Sequence, residues 1–474
     1  MERKPIYSQH FIDSEETMSE KSRQHVVDSK KESRKQTVDS IQGKNKKSLS
    51  TVYCLLSTVR SSLSTVYYLL PTKKSLLPTK CGFTLVELLI TMVVFVFVIA
   101  AGSQIFTGLL TQFKQQSKIT ETNIEGAIGL EMMRRDIEHA GYGLPWVIDA
   151  AVAYNEASAA EAVVFNNCNG SAPCNPPNAI ISGNSMTYAS PNNVFNGSDY
   201  LVIKAANVAT SAAAQRWTTL RTGDVKRIWG TAADDFVNTD RVIVLSPGTS
   251  DATRQSLVLG GGAWWTTYNN TNPFAPDPDA TETRFIYGIG PEPVPISNLR
   301  MPFNRADYYI WRDGTTVAND GVPDRCALGT GILRKTVIAH ADGDRTPLPL
   351  LDCVADMQVG FGVDNDTTPD GAVNCYVNNL ADGITVNAEN IRTRVREVRV
   401  YILAHEGQYD RDFTFNPPIA PNSIRVGETS ANLPGGICTG PGTLGRDFNL
   451  SGITNWPNYR WKVYTMVVQP TNLR

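Results

Sequence analysis

The feature that most constrains this chain is an uncharged stretch of 26 residues, from Leu88 to Phe113. Its first part, Leu88–Ile99, is apolar apart from one threonine. A helix needs about 20 apolar residues to cross a bilayer, so the stretch is long enough to span one. A buried core helix is the alternative, but core helices rarely stay uncharged for so long. We predict a membrane span or signal-anchor over residues 83–106.

The segments before and after this stretch carry opposite net charges. The formal net charge of the chain is −2, but residues 1–82 carry +7 and the remainder carries −9. A basic flank before an apolar segment is typical of a membrane protein whose N-terminal flank stays cytoplasmic. A nucleic-acid-binding protein would carry its basic charge on the folded domain, so no nucleic-acid partner is predicted.

Residues 1–50 are polar and have almost no apolar periodicity, which predicts disorder. Two nearly identical segments follow, Ser48–Leu56 and Ser62–Leu70. Such units are too short and too few to stack a core. We interpret much of residues 1–70 as a misassigned start or a translated repeat.

An amphipathic pattern follows the uncharged stretch and predicts a helix that continues to residue 140. Apolar residues recur at helical spacing among charged ones; they are Ile124, Ile128, Met132, Met133 and Ile137. Glycine and proline in Gly141–Pro145 end the pattern. The helix over residues 83–140 should therefore have a membrane half and an amphipathic half (107–140), which packs one stripe on a protein surface.

Residues 141–474 have the sequence pattern of a β-rich domain. Short runs rich in branched residues predict strands at Tyr200–Ile203, Arg241–Leu245 and Val395–Leu403. Long polar stretches between such runs, at 166–198, 266–283 and 409–449, predict loops. The predicted fold class is α+β, with the long helix packed on an antiparallel sheet in one elaborated domain with long loops.

The residues around the start of the helix form a specific motif. They read Gly82-Phe83-Thr84-Leu85-Val86-Glu87, after a flank that contains lysines. This segment resembles a prepilin, the precursor of type IV pilins and of the pseudopilins of type II secretion. The resemblance implies that a prepilin peptidase cuts between Gly82 and Phe83, that Phe83 becomes N-methylated, and that residues 1–82 are removed. It also implies the lollipop shape of pilins.

Glu87 is the anomaly in the apolar helix. A carboxylate there costs about 2.5–3.5 kcal/mol on insertion scales, so it should have a partner. The resemblance implies that this partner is the N-terminal amine of a neighbouring subunit. The alternative is a carboxylate at the membrane rim that reaches water. Where most family members have a helix-kinking proline, this chain has Gln104, so the kink is absent or depends on the nearby Gly102.

Further segments resemble minor pilins of the PilW type and occur in family order: Glu131–Gly143, Asp352–Asp364, Val395–Leu403 and Tyr459–Val468. A minor pilin would help to initiate pilus assembly or form its tip. The implied partners are other major and minor pilins, the prepilin peptidase and the inner-membrane assembly platform. The protein would be a single-pass inner-membrane protein with an extracytoplasmic body, and would move to a pilus or pseudopilus at the cell surface. The J-type pseudopilin is the close alternative.

Cysteine usage agrees with a body outside the cytoplasm. Two cysteines precede Phe83, and an even number follows it: Cys168, Cys174, Cys326, Cys353, Cys375 and Cys438. Beyond a membrane segment this predicts disulfides. Cys168 and Cys174 are close enough to close a small loop, and the other connectivities remain open. Buried free thiols are the alternative.

Enzymatic motifs are absent from the sequence, and no catalytic residue or cofactor is predicted. His139 and His405 are interpreted as ordinary surface or capping residues. A signal-anchored extracytoplasmic enzyme and a dedicated adhesin are the remaining alternatives. The one weak metal candidate is a calcium loop with the oxygen ligands Asp364, Asp366 and Asp370. It lacks a closing glutamate, and an acidic turn explains it equally well.

Overall fold

A computed structural model describes residues 84–188, 193–250, 253–260, 263–269, 278–290, 298–312, 321–439 and 442–473. The predicted leader and the predicted cleavage between Gly82 and Phe83 lie outside these residues. Helix α1 runs from Leu85 to Glu138, close to the predicted bounds. The described residues divide into two units, residues 84–97 and residues 98–473. The sheets described next belong to the second unit.

An antiparallel sheet of eight strands forms the body, in the order β1-β2-β9-β10-β11-β13-β16, with β12 paired to β11. Strands are numbered β1 to β16 in chain order. The strands of this sheet are β1 (Ile180–Gly183), β2 (Tyr200–Ala205), β9 (Asn304–Trp311), β10 (Gly331–Ile338), β11 (Arg345–Val363), β12 (Cys375–Val377), β13 (Val395–Glu406) and β16 (Arg460–Val468). The predicted strands at Tyr200 and Val395 are therefore confirmed, each with a few more residues.

The central strands of this sheet are buried on both faces. On β11, Met357, Val359 and Phe361 pack in the largest apolar core, together with α1. Ala355 lies in a second core on the other face, with Tyr401 of β13. The pairing of β11 with β13 has a β-bulge between Val354 and Asp356, which interrupts the alternation of side chains, so Ala355 faces the second core although it is two residues from Met357. The amphipathic end of α1 covers the first face.

The buried stripe of α1 differs from the predicted one. Met133 and Ile137 are fully buried as expected, but Ile124 and Ile128 are 57% and 66% exposed. Before Met133 the buried positions are two glycines, Gly126 and Gly129, which approach Leu351 and Leu350, while Leu130 and Met132 are half-buried against the core. Glycine adds nothing to an apolar pattern, so the periodicity followed the isoleucines on another face.

A second antiparallel sheet has the order β4-β3-β8-β5-β6, with β7 paired to β5. It contains β3 (Trp217–Arg221), β4 (Val225–Lys226), β5 (Arg241–Ser246), β6 (Ser256–Leu257), β7 (Thr266–Thr267) and β8 (Thr283–Gly290). The prediction of β5 is confirmed. The described residues also contain two short α-helices, α2 (Ala160–Val163) and α3 (Ala388–Arg394).

All three predicted loops contain strand residues. The segment 166–198 includes β1, and 409–449 includes an antiparallel hairpin, β14 (Ser423–Thr429) with β15 (Thr443–Asn449). Described residues of 266–283 include β7 and the first residue of β8. The hairpin was missed because it buries few apolar side chains, and Gly427 and Gly445 face each other across it. Packing on the second core, rather than its own composition, stabilises it.

Candidate functional site

The apolar half of α1 presents its large side chains to the surroundings. Between Leu85 and Phe113 every large hydrophobic side chain is at least 44% exposed. Within the part of the chain that the structure describes, α1 is the one helix long and apolar enough to cross a membrane. An apolar surface of this extent is not stable in water. Its environment has to be lipid or other apolar helices, which fits membrane anchoring.

Glu87 lies in the first turn of this helix and is exposed. Its backbone N–H donates to the Thr84 hydroxyl at 3.3 Å, and the Leu88 N–H donates to the Thr84 carbonyl at 3.1 Å. Thr84 therefore starts the helix and leaves the Glu87 carboxylate at its N-terminal end. A negative charge is favourable there because it faces the positive end of the helix dipole. The carboxylate is thus placed at the end of the helix where the predicted amine would arise.

A buried ion pair connects the other end of α1 to the sheet. Asp136 pairs with Lys335 of β10 and accepts a hydrogen bond of 2.5 Å from the Tyr308 hydroxyl of β9. Burial raises the pKa of the Asp136 carboxyl, and the Lys335 ammonium and the Tyr308 hydroxyl oppose this rise. Breaking such a pair leaves an uncompensated buried charge. The contact therefore holds the helix on the sheet at one position.

The C-terminal segment and a glycine complete this junction. Thr471 donates from its N–H and its hydroxyl to the Glu138 carbonyl, at 2.9 and 3.0 Å, and so satisfies the open end of the helix. A Cβ added at Gly129 would lie 2.2 Å from the Leu350 carbonyl oxygen. Only glycine lets the helix backbone approach β11 this closely. Sequence reasoning singled out none of these contacts, although Asp136 and Glu138 lie in the segment Glu131–Gly143 that resembles minor pilins.

All six cysteines after Phe83 are joined in disulfides. The pairs are Cys168–Cys174, Cys326–Cys353 and Cys375–Cys438. The first pair is the small loop that spacing predicted, and the other two resolve connectivities that the sequence left open. Disulfides persist in oxidising compartments, so these pairs suit a domain outside the cytoplasm.

His405 lies beside one of these disulfides and is fully buried, so its interpretation as a surface residue was wrong. Its Nε2 accepts the Ala327 N–H at 2.9 Å, and its ring packs against Tyr459 and Trp461. Burial lowers the pKa of His405 to about 3. Its nitrogens lie close to the sulfurs of Cys326 and Cys353, but these sulfurs are bonded to each other and offer no thiolate to a metal. The histidine is part of a core.

The predicted calcium loop brings its three carboxylates together. Asp364, Asp366 and Asp370 offer oxygens that lie within 4.8 Å of one another. Asp364 is buried and accepts the Gly371 N–H at 2.7 Å, and Arg396 lies 3.8 Å from the same carboxylate oxygen. Oxygen ligands at such separations suit calcium, whereas these hydrogen bonds are those of an acidic turn. Calcium binding stays a prediction, and a titration calorimetry experiment on the full chain tests it.

A buried cluster of charges lies where sequence reasoning pointed to nothing. Lys204, Glu156 and Arg305 are fully buried; the Glu156 carboxylate lies 2.6 Å from the Lys204 nitrogen and 3.0 Å from the Arg305 guanidinium. Arg305 also binds Asp307 through two hydrogen bonds. Burial lowers the pKa of Lys204 to about 8. The available signal was a lysine inside an apolar strand and a pair of opposite charges two residues apart on another.

Comparison with known proteins gives two family matches. Residues 308–472 match the family described as Type IV Pilus-assembly protein W, and residues 77–103 match the Prokaryotic N-terminal methylation motif. Among solved structures, the type IV-like pilin TTHA1219 from Thermus thermophilus matches with 18% identity over 37% of this chain and 70% of that chain, with a TM-score of 0.19. No curated protein matches the chain.

The two family matches cover both parts of the molecule. The methylation motif contains Gly82, Phe83 and Glu87 and the first turns of α1. The longer match begins in β9 and runs through β16, so it includes the strands β10, β11 and β13 at the centre of the main sheet. Both describe a structural pilus subunit rather than an enzyme. The resemblance read from the sequence is confirmed at this level.

Proposed function

We propose that this chain, a type IV pilin-like protein of the PilW type, is a minor subunit of a type IV pilus that helps to initiate assembly or forms the tip. The observation that carries the proposal is the helix α1, which begins at a methylation motif and exposes an uncharged apolar surface. Such a helix is stable in a membrane and equally in a bundle of similar helices. A subunit of this kind can move from one environment to the other.

Processing would create the contact that drives assembly. Cleavage by a prepilin peptidase between Gly82 and Phe83 frees an amine four residues before Glu87. Within an apolar fibre core, this amine and the Glu87 carboxylate of an adjacent subunit neutralise each other. The pairing is favourable because each charge alone would be costly in that medium. It also sets the axial position of one subunit against the next.

The proposed topology places residues after the span outside the inner membrane until assembly. The net charge of +7 before the motif supports a cytoplasmic N-terminal flank. Three disulfides in the body support an oxidising environment for it. The expected partners are other pilins, through α1, the prepilin peptidase and the inner-membrane assembly platform.

A minor role is favoured over a major one. Beyond the helix-bearing sheet, the described residues form a second sheet and a hairpin. A subunit that repeats along a fibre has to pack such additions against every neighbour, whereas a subunit at the tip has free space around it. The match to the pilus-assembly family favours a pilus over the J-type pseudopilus of type II secretion.

The first experiment is mass spectrometry of the N-terminus, on protein extracted from the membranes of its native host and from sheared surface fibres. We expect a chain that begins with N-methylated Phe83 in both fractions. A stable chain that keeps residues before Gly82 would contradict the proposal. A processed chain found only in a secretion complex would support the pseudopilus instead.

A substitution then tests the role of the carboxylate. Glu87→Gln should still be processed but should be depleted from fibres about tenfold or more, since an amine without a partner costs at least about 1.4 kcal/mol. Glu121→Gln is the matched control, because Glu121 is an exposed acid on the same helix that pairs locally with Lys118. Equal incorporation of both variants would rule out the proposed pairing.

A further inference from the structure

The buried charge cluster contains a lysine and an asparagine placed for a reaction with each other. The nitrogen Nζ of Lys204 lies 2.6 Å from Oδ1 of Asn167. The carbon Cγ of that amide lies one carbonyl bond beyond the oxygen, about 1.2 Å away. A small rotation of the asparagine side chain therefore brings Cγ within reach of the amine.

Glu156 contacts both residues. Its Oε2 lies 2.6 Å from the Lys204 nitrogen, and its Oε1 accepts the backbone N–H of Asn167 at 2.7 Å. Glu156 and Lys204 are both fully buried. The carboxylate thus contacts the amine and holds the backbone that carries the amide. It is the nearest base to the proton that the amine would lose.

The amide oxygen also accepts a second hydrogen bond. The backbone N–H of Asn178 donates to Oδ1 of Asn167 at 3.0 Å. Such a donor stabilises negative charge that develops on a carbonyl oxygen during attack on its carbon. The disulfide Cys168–Cys174 lies next to Asn167 in the chain and holds this loop in place.

The surroundings favour an uncharged amine. The pKa of Lys204 is lowered to about 8, chiefly by burial; the Glu156 carboxylate opposes this shift and the Arg305 guanidinium adds to it. The Lys204 nitrogen lies 5.3 Å from the centre of the Phe303 ring. A desolvated lysine near another cation is a nucleophile near neutral pH.

From this geometry we propose that Lys204 and Asn167 form an intramolecular isopeptide bond, with Glu156 as the proton-transfer residue. The Lys204 nitrogen attacks Cγ of Asn167, and Glu156 takes the proton that the amine loses. Glu156 passes this proton to Nδ2, the bond between Cγ and Nδ2 breaks, and ammonia leaves. An amine and a primary amide become a secondary amide and ammonia, so no oxidant or cofactor is needed.

The fixed separation of the reacting groups replaces an external catalyst. Groups held in this way react with effective concentrations of about 10⁵ M or more. The product would tie the loop after α2 to β2 of the main sheet. The inference depends on this cluster alone and not on the proposed function.

Tryptic digestion of the full chain, extracted in detergent and reduced, tests the proposal directly. Residues 136–203 contain no Lys or Arg, so an unmodified chain yields the peptide 136–204. An acylated Lys204 resists trypsin, so we expect the peptide 136–216 instead, lighter by one ammonia. A second digestion with chymotrypsin cuts after Tyr188, Phe195 and Tyr200. The fragment that carries Asn167 and the fragment that carries Lys204 should stay joined.

This design separates the bond from another loss of ammonia. Succinimide formation at Asn169-Gly170 would also remove one ammonia, but trypsin would still cut after Lys204 and the chymotryptic fragments would separate. That result, or an unmodified peptide 136–204, would overturn the proposal. Neither measurement needs a variant.

Two variants test the role assigned to Glu156. Glu156→Gln should slow bond formation about 100-fold or more, because the amide cannot accept the proton, and cleavage at Lys204 should return. Glu161→Gln is the matched control; Glu161 is a neighbouring acid that pairs with Arg345 and does not contact Lys204. The control should keep the bond. A bond that forms at the wild-type rate in Glu156→Gln would overturn the role of Glu156.

Discussion

Asp136, in the last turn of α1, forms a buried ion pair with Lys335 on β10, and the Tyr308 hydroxyl donates to the same carboxylate. The pair connects two elements that are about 200 residues apart in the chain, a separation over which only tertiary packing brings residues together. The helix and the sheet depend on this contact for their relative position within the body. Each partner is therefore expected to matter more than a surface charge would.

Removing one partner of this pair should destabilise the body strongly. Asp136→Asn leaves the Lys335 ammonium buried without a counter-charge, so we expect a loss of about 3–5 kcal/mol in the free energy of unfolding. Urea denaturation of the detergent-extracted chain, followed by tryptophan fluorescence, measures this. The double variant Asp136→Leu/Lys335→Met should recover most of the loss, because it leaves no buried charge. A single variant within about 1 kcal/mol of the wild type would contradict the assignment.

Gly129 should not tolerate even a methyl group. A Cβ there meets the backbone of Leu350 at 2.2 Å, so Gly129→Ala forces α1 away from β11. We expect a loss of about 1–3 kcal/mol, the usual cost of overpacking. Gly108→Ala is the matched control on the same helix, because its added Cβ meets nothing within 4 Å. The same urea denaturation should show the control unchanged or more stable, and equal losses in both variants would contradict the close approach.

The three disulfides should differ in their contribution to stability according to the length of chain that each closes. The separations are 63 residues for Cys375–Cys438, 27 for Cys326–Cys353 and 6 for Cys168–Cys174. Loop-closure entropy then predicts losses of about 4, 3.5 and 2 kcal/mol when each pair is replaced by alanines. Thermal and urea denaturation of the three double variants checks the order. A larger loss for the Cys168–Cys174 variant than for the other two would show that contacts in the folded state, rather than chain entropy, determine the contribution of each disulfide.

His405 should make the body less stable as the pH falls. Burial lowers its pKa to about 3 in the folded state, against about 6.5 in an unfolded chain. Since the unfolded chain takes up a proton that the folded one excludes, this stability is complete above pH 6.5 and lost as the pH falls toward 3. The expected fall is about 2 kcal/mol between pH 8 and pH 5.

Two variants isolate this contribution. His405→Gln should lower the stability at pH 8 but remove the part of the fall that depends on the histidine. Trp461→Phe disturbs the packing around the His405 ring but keeps the histidine. This variant should therefore still lose stability between pH 8 and pH 5, by as much as the wild type. Urea denaturation at both pH values measures each difference. If His405→Gln shows the same fall as the wild type, other groups are responsible for it.

Much of the fold could be predicted because it follows local patterns. The uncharged stretch predicted α1, and runs of branched residues predicted β2, β5 and β13. The hairpin β14–β15 could not be predicted in this way, since its strands are short and polar and depend on a core formed by other segments. The stripe of α1 was predicted in part, because Gly126 and Gly129 carry no apolar signal where the helix comes closest to the sheet.

The functional residues also divide into those that a local pattern predicts and those that only tertiary contacts define. The sequence by itself determined the motif at Gly82, Phe83 and Glu87 and the apolar helix behind it, because neighbours in the chain are sufficient to define both. Only the tertiary structure decided the cysteine pairs beyond the first, the burial of His405, and the meeting of Lys204 with Asn167 and Glu156. These contacts join residues that are far apart in the chain. Their free energies depend on burial and distance, which a linear pattern does not contain.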